Sequence, residues 1–271
     1  MSENTKIEWC DHTFNPWIGC TQVGPGCDNC YAKAFDRRFA VSGHAMHWGA
    51  GVARKRTSES NWRLPIKWNK KAALIQSAWT HGVGLHGGDE SACIAAGFIQ
   101  PVRPKVFCAS LADVFDNGVD SVWRQDLAAL IHDTPNLDWL LLTKRIGNAC
   151  EMLAEMFLEP RKNVWLGATI CNQAEADRDI PKLLATPAHK RFLRMDPLLG
   201  PVDIQSAINR MPWRIGGGDA ELHWVIVGGV KPDAQTIMPC SPSVARKLFM
   251  GRFLELTSGT ARVAQTDWSA A

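Results

Sequence analysis

Apolar residues along the chain gather into short runs, separated by longer segments of mixed polarity. Six runs read as strands: Thr13 to Ile18, Lys105 to Ala109, Asp138 to Thr143, Asn163 to Ala168, Lys190 to Met195 and His223 to Val227. The later ones are almost continuously apolar, as in Trp139-Leu140-Leu141-Leu142. That suits strands covered on both faces of a parallel sheet. Between the runs, the apolar positions change to helical spacing. Trp123, Leu127, Leu130 and Ile131 share one face, as do Met152, Leu153, Met156 and Phe157, and then Ile180, Leu183 and Leu184. Strands alternating with helices predict an α/β fold with a parallel sheet and right-handed crossovers. Six such units point to an open or partial barrel rather than an eight-stranded one.

Residues 42–104 interrupt the alternation. They are rich in Gly, His, Trp and basic residues, with a Gly-rich stretch from Gly82 to Gly88. The expected organisation is one domain over 1–271. A barrel core covers about 7–41 and 105–230, a helical insertion with a flexible Gly-rich loop covers 42–104, and a divergent tail covers 231–271. A chain of 271 residues can bury a full core. No apolar run approaches the roughly 20 residues of a membrane helix, and the polar start lacks a secretory pattern. A cytoplasmic protein with no membrane contact is expected. A net charge of +3 is too small to argue nucleic-acid binding from charge alone. Trp48, Trp62, Trp68 and Trp79 stand among basic residues of the insertion, a composition that can stack bases. Packing of the insertion against the barrel is the simpler expectation. The sequence carries no phosphate loop, nucleophile elbow or paired-histidine metal motif.

The cysteines change the picture. Nine is an odd number, and without a secretory pattern a disulfide framework is not expected. Five are scattered, as small core hydrophobes often are. Cys10, Cys20, Cys27 and Cys30 crowd near the start. Cys27 and Cys30 form a C-x-x-C pair that can place two thiolates on one metal. Gly24-Pro25-Gly26 can turn the chain back so that Cys20 joins them. Three thiolates admit two chemistries. A structural zinc wants four ligands, so Cys10 or His12 would complete it. A four-iron cluster on Cys20, Cys27 and Cys30 would leave one iron open. The loop follows the first strand, at the end where barrel loops carry chemistry, and this favours iron–sulfur.

The stretch from Thr13 to Ala32 resembles a phage-associated three-cysteine-motif family of unassigned function. Further matching segments are Phe107 to Asp116, Asp138 to Arg145, Asn163 to Gly167, Pro197 to Pro201 and Trp224 to Gly229. That family is in turn similar to radical S-adenosylmethionine (SAM) enzymes. The resemblance implies a partial (β/α)6 TIM-like barrel of radical-SAM type, with the insertion after the first βα unit. It implies a [4Fe–4S] cluster on Cys20, Cys27 and Cys30, with S-adenosylmethionine chelated at the open iron and cleaved reductively to a carbon radical. It leaves the substrate unknown, with nucleic acid as a candidate by analogy with phage genes, and allows a phage-encoded partner protein. The sequence departs from the radical SAM pattern in the six-residue gap between Cys20 and Cys27, and in Tyr31 following the last cysteine. After Gly228-Gly229 stands Val230-Lys231-Pro232, where the family has Glu-Ser-Gly. The rival readings are a zinc-stabilised nucleic-acid-binding protein and a degenerate, inactive phage remnant.

Polar residues at the strand ends complete the candidate site. Asp113 and Asp116 follow the second run, and would bind a cofactor amino group or cap the next helix. Thr143 and Lys144, with Arg145, follow the third and would hold a carboxylate or phosphate. Asn172, beside Gln173, follows the fourth and would hydrogen-bond a ribose. Arg194 and Asp196, two apart on the fifth, share a face and would line the site or pair with each other. Gly228 and Gly229 would let backbone approach a ligand closely.

Overall fold

The computed structural model describes residues 2–209 and 221–227. Gly228, Gly229 and the tail expected at 231–271 lie outside the described residues. In chain order come β1 (Ser2–Glu3), β2 (His12–Phe14), β3 (Trp17–Ile18), a 3-10 turn at Pro25–Cys27, α1 (Tyr31–Val41) and β4 (Lys55–Arg56). The insertion continues with α2 (Glu59–Trp62), α3 (Leu64–Leu85) and α4 (Glu90–Ala95). There follow β5 (Lys105–Cys108), α5 (Ser121–His132), β6 (Asp138–Thr143), α6 (Ile146–Met156), β7 (Val164–Thr169), α7 (Gln173–Ala185), β8 (Lys190–Met195), α8 (Ile204–Asn209) and β9 (Trp224–Val227).

The main sheet runs β1-β2-β5-β6-β7-β8-β9. Its six strands from β2 onward are parallel, and β1 is an antiparallel edge. The sheet is open, and no closed barrel forms among the described residues. Because the strand order is the chain order, right-handed crossovers place successive helices on the same face. One core cluster joins Phe14, Val106, Cys108, Leu141, Leu166 and Leu193 to helix residues such as Leu127, Ile131 and Ile180. The alternate residues Phe107, Leu140, Leu142, Phe192 and Ile226 form a second cluster on the other face, with Trp9, Trp165 and Trp224 against it. No helix residue enters this second cluster among the described residues.

Two elements differ from the sequence reading. The first run breaks in the middle: Thr13 and Phe14 stay in the main sheet, while Trp17 and Ile18 pair antiparallel with Arg56 and Lys55. Pro16 at the break has no N–H to give a ladder. The Thr57 hydroxyl donates to the Asn15 and Pro16 carbonyls and fixes the bend. The Gly82 to Gly88 stretch is not wholly loop, because α3 continues through Gly82 and Gly84 to Leu85. At Gly82 a Cβ would lie 2.6 Å from the Phe98 ring, so the residue is small for packing. The insertion covers β2: Trp68 stacks on His12 at 4.3 Å and Trp62 stands edge-on to Phe14 at 5.6 Å. Trp48, Trp68 and Trp79 are buried, which is the packing role rather than a base-stacking surface. No described helix is long and apolar enough to cross a membrane.

Candidate metal centre at the carboxyl edge of the sheet

β2 and the short β3 carry the chain to the cysteine loop. Gly19 opens it with φ +109°, and a Cβ there would lie 2.1 Å from the His47 carbonyl oxygen. Only glycine meets both demands. Its N–H donates to Leu111 O, which ties the loop's start to the segment after β5. The turn that follows brings Cys27 N to Gly24 O and Cys30 N to Cys27 O. Cys30 then accepts the first helical bond of α1 from Ala34 N. Cys20, Cys27 and Cys30 are all free thiols; Cys27 is buried and the other two are half-buried.

A network of buried charge holds this loop to the ends of β5 and β6. The Arg145 guanidinium donates to Thr21 O at 2.6 Å, to Asp113 Oδ2 at 3.1 Å and to Cys20 Sγ at 3.2 Å. Asp113 also accepts from the Thr143 hydroxyl at 2.7 Å and from the backbone N–H groups of Lys144 and Phe115. Asp116 accepts from Arg54 Nε at 2.8 Å and from Gly118 N. Arg54 in turn donates to Thr21 Oγ1 and to the carbonyls of His47, Gly49 and Val52. Asp120, not Asp113 or Asp116, caps α5. Burial opposes the charge of Arg145, but Asp113, Cys20 and Asp116 outweigh it and raise its pKa. Burial pushes the Cys20 thiol up to about 11, with Arg145 pulling the other way. Asp113 and Thr143 are therefore engaged within the protein, where the sequence alone points them at a cofactor.

The turn from β7 into α7 forms the opposite wall. Asn172 accepts from Glu175 N at 2.9 Å and caps α7, a role that accounts for its position without a ribose. Glu175 accepts from Cys171 N at 2.8 Å. The cysteine loop lies directly on this turn. A Cβ on Gly24 would stand 3.0 Å from Glu175 Oε1, and one on Gly26 would stand 2.2 Å from Cys171 Sγ and 3.6 Å from Lys144 Cε. On the face of the second cluster, Arg194 and Asp196 pair with each other, one of the two arrangements that their shared face allows. Arg194 also lies over the Trp9 ring at 5.3 Å. The Tyr31 hydroxyl donates to Ser110 O at 2.6 Å, anchoring the start of α1.

Cys10 and His12 stand apart from the three cysteines. Cys10 packs in the second cluster, and His12 faces α3. As the side chains stand, no three His, Cys, Asp or Glu among the described residues are grouped to hold a metal ion. The donor set itself suits a thiophilic centre: three thiols lie within one compact loop, with a guanidinium beside one sulfur to balance thiolate charge. Sequence reasoning missed Arg54, Cys171 and Glu175. Cys171 was legible only as one of five scattered cysteines, and nothing local to it signals the loop it meets.

The chain belongs to a family described as a protein of unknown function (DUF5131), which matches residues 4–248. No curated protein and no solved structure matches it.

Proposed function

We propose that this family member holds a thiolate-bound iron–sulfur centre on Cys20, Cys27 and Cys30 and acts as a radical-SAM-type enzyme. The observation that carries the reading is the contact of Arg145 with Cys20 Sγ at the carboxyl edge of the parallel sheet. Loops at that edge carry chemistry in related architectures. The strand order supports a partial (β/α)6 barrel. With the described helices on one face, the opposite face keeps its own aromatic cluster, which a curled sheet would bury. A cluster bound in the loop would supply the electron that cleaves S-adenosylmethionine. Arg145 would offset the negative charge of the thiolates and orient Cys20. The Arg194–Asp196 pair, on the face of the second cluster, would offer charged groups to a polar ligand.

The test is anaerobic purification with iron and sulfide reconstitution, followed by metal analysis and a visible spectrum. The expected product is brown, with about four irons per chain, and cleaves S-adenosylmethionine on reduction. A colourless protein with one tightly bound zinc and no iron overturns the reading.

A further inference from the structure

We propose that the exposed side of α3, with the groove along its flank, is a docking surface for single-stranded nucleic acid. The inference needs no metal, and its place is the edge of the sheet opposite the cysteine loop. Arg103 and Asn136, which line the groove, stand just ahead of β5 and β6.

Charge carries it first. Residues 42–104 hold eight Lys and Arg against three Asp and Glu, a net +5 with His neutral, in a chain whose total is +3. The positive charge of the chain is thus gathered in the insertion. Part of it is engaged locally, Arg54 with Asp116 and Arg56 with Asp126. α3 is different: it carries Lys67, Lys70, Lys71 and His81 and no carboxylate. Pro65, Trp68, Ala72, Trp79 and Gly82 form its buried side. Arg63, Lys67, Lys70, Leu74 and His81 recur at helical spacing along the exposed side. Arg63 meets Glu59, and Lys71 reaches Glu3 only at 3.8 Å. Lys67 and Lys70 have no ion pair among the described residues. Exposed cations in successive turns suit the phosphates of one strand, and the exposed Ile66 and Leu74 among them offer apolar contact to sugars and bases.

The groove is the second observation. It has a volume of about 240 Å³ and is lined by Ala72 and Gln76 of α3 and by Pro101, Val102, Arg103 and Asn136. The Asn136 backbone N–H donates to Asn69 Oδ1, but its side-chain amide has no hydrogen bond among the described residues. An amide beside a guanidinium offers donors and an acceptor to a base edge. A groove of this volume holds one splayed base and not a duplex. The amides favour bases over an acidic protein, which the lysines alone would also attract.

The test is fluorescence anisotropy with the full-length, metal-free protein. The probes are a fluorescein-labelled DNA strand of about twelve nucleotides and an abasic strand of equal length. The normal strand should bind with a salt slope of about −2, as three lysine–phosphate contacts require, and more tightly than the abasic strand. Lys67→Gln with Lys70→Gln should bind at least about tenfold more weakly and lose about 1.4 of the slope. Lys6→Gln with Lys162→Gln, which removes two exposed cations elsewhere, should change neither. Asn136→Ala should bring the affinities for the two strands together, with near-ultraviolet circular dichroism as the check that each variant is folded. No binding at about 50 mM salt, or the same loss in both double variants, overturns the inference. Equal affinity of the wild type for the two strands overturns it too, and displacement of the DNA by polyglutamate then identifies an acidic protein as the partner.

Discussion

Replacing Arg145 with methionine tests whether charge holds the cysteine loop in place. Methionine keeps much of the apolar stem and removes only the guanidinium. That group donates to Thr21, Asp113 and Cys20 from a side chain that is 9% exposed. Removing one partner of a buried ion pair costs about 3–5 kcal/mol, because the other charge is left uncompensated. Here the compensation is only partly lost. Asp113 keeps the Thr143 hydroxyl and the N–H groups of Lys144 and Phe115, and Asp116 keeps Arg54. The loss should therefore fall at the lower end, about 3 kcal/mol, which corresponds to roughly 6–12 °C of Tm at this chain size. The assay is urea unfolding followed by tryptophan fluorescence, with an unchanged m-value as the condition for reading the midpoint as stability. Asp113→Asn in both backgrounds closes a double-mutant cycle, and a coupling of about 1–3 kcal/mol is expected. An Arg145→Met protein within about 0.5 kcal/mol of wild type, or strict additivity with Asp113→Asn, would show that the contact contributes no net attraction.

Gly167→Ala probes the face of the second cluster. Its Cβ would stand 2.3 Å from Phe192 Cζ, on adjacent strands in direct register. Overpacking should cost about 1–3 kcal/mol, and Phe192→Leu in the same chain should recover part of it; equal midpoints for all three proteins would contradict the packing. His12 gives a pH signature. Burial lowers its pKa, and its ring accepts a hydrogen bond from Asn4 N, as a neutral imidazole does. The unfolded chain takes up this proton near pH 6.5 while the folded one resists, so stability falls as pH drops below that value. His12→Phe should flatten the fall between about pH 7.5 and 5.5 in urea midpoints, and an unchanged slope would remove His12 as its source.

The parallel strands were legible because their signal is local. Asp138–Thr143 and Lys190–Met195 occur with the bounds their apolar runs predict, and the α5, α6 and α7 positions follow from helical spacing. What failed locally was the first run, where Pro16 divides one apolar stretch between two sheets. β1 and α8 have no comparable pattern. Ser2–Glu3 is two polar residues, recruited only because β2 offers an open edge.

The polar residues at the strand ends were harder, and the reason is physical. Sequence shows which carboxylates follow a strand but not whether they meet a ligand or a cation from another element. A buried carboxylate must have partners, and those of Asp113 and Asp116 lie 32 and 62 residues away, in Arg145 and Arg54. Their work is to anchor the loop, and this bears on what the loop is for. Arg145 and Arg54 grip Thr21, Gly19 is locked against His47, and Gly24 and Gly26 rest on the β7–α7 turn. All of these contacts are independent of any metal. A zinc present only to order the loop would duplicate them, whereas a reactive centre benefits from a frame that is already built. The metal-free chain should therefore keep its near-ultraviolet circular dichroism and unfold cooperatively, with metal adding only its binding linkage. Loss of tertiary signal on chelation, as in domains whose folding energy is the metal's, would instead make the cysteines a structural clasp.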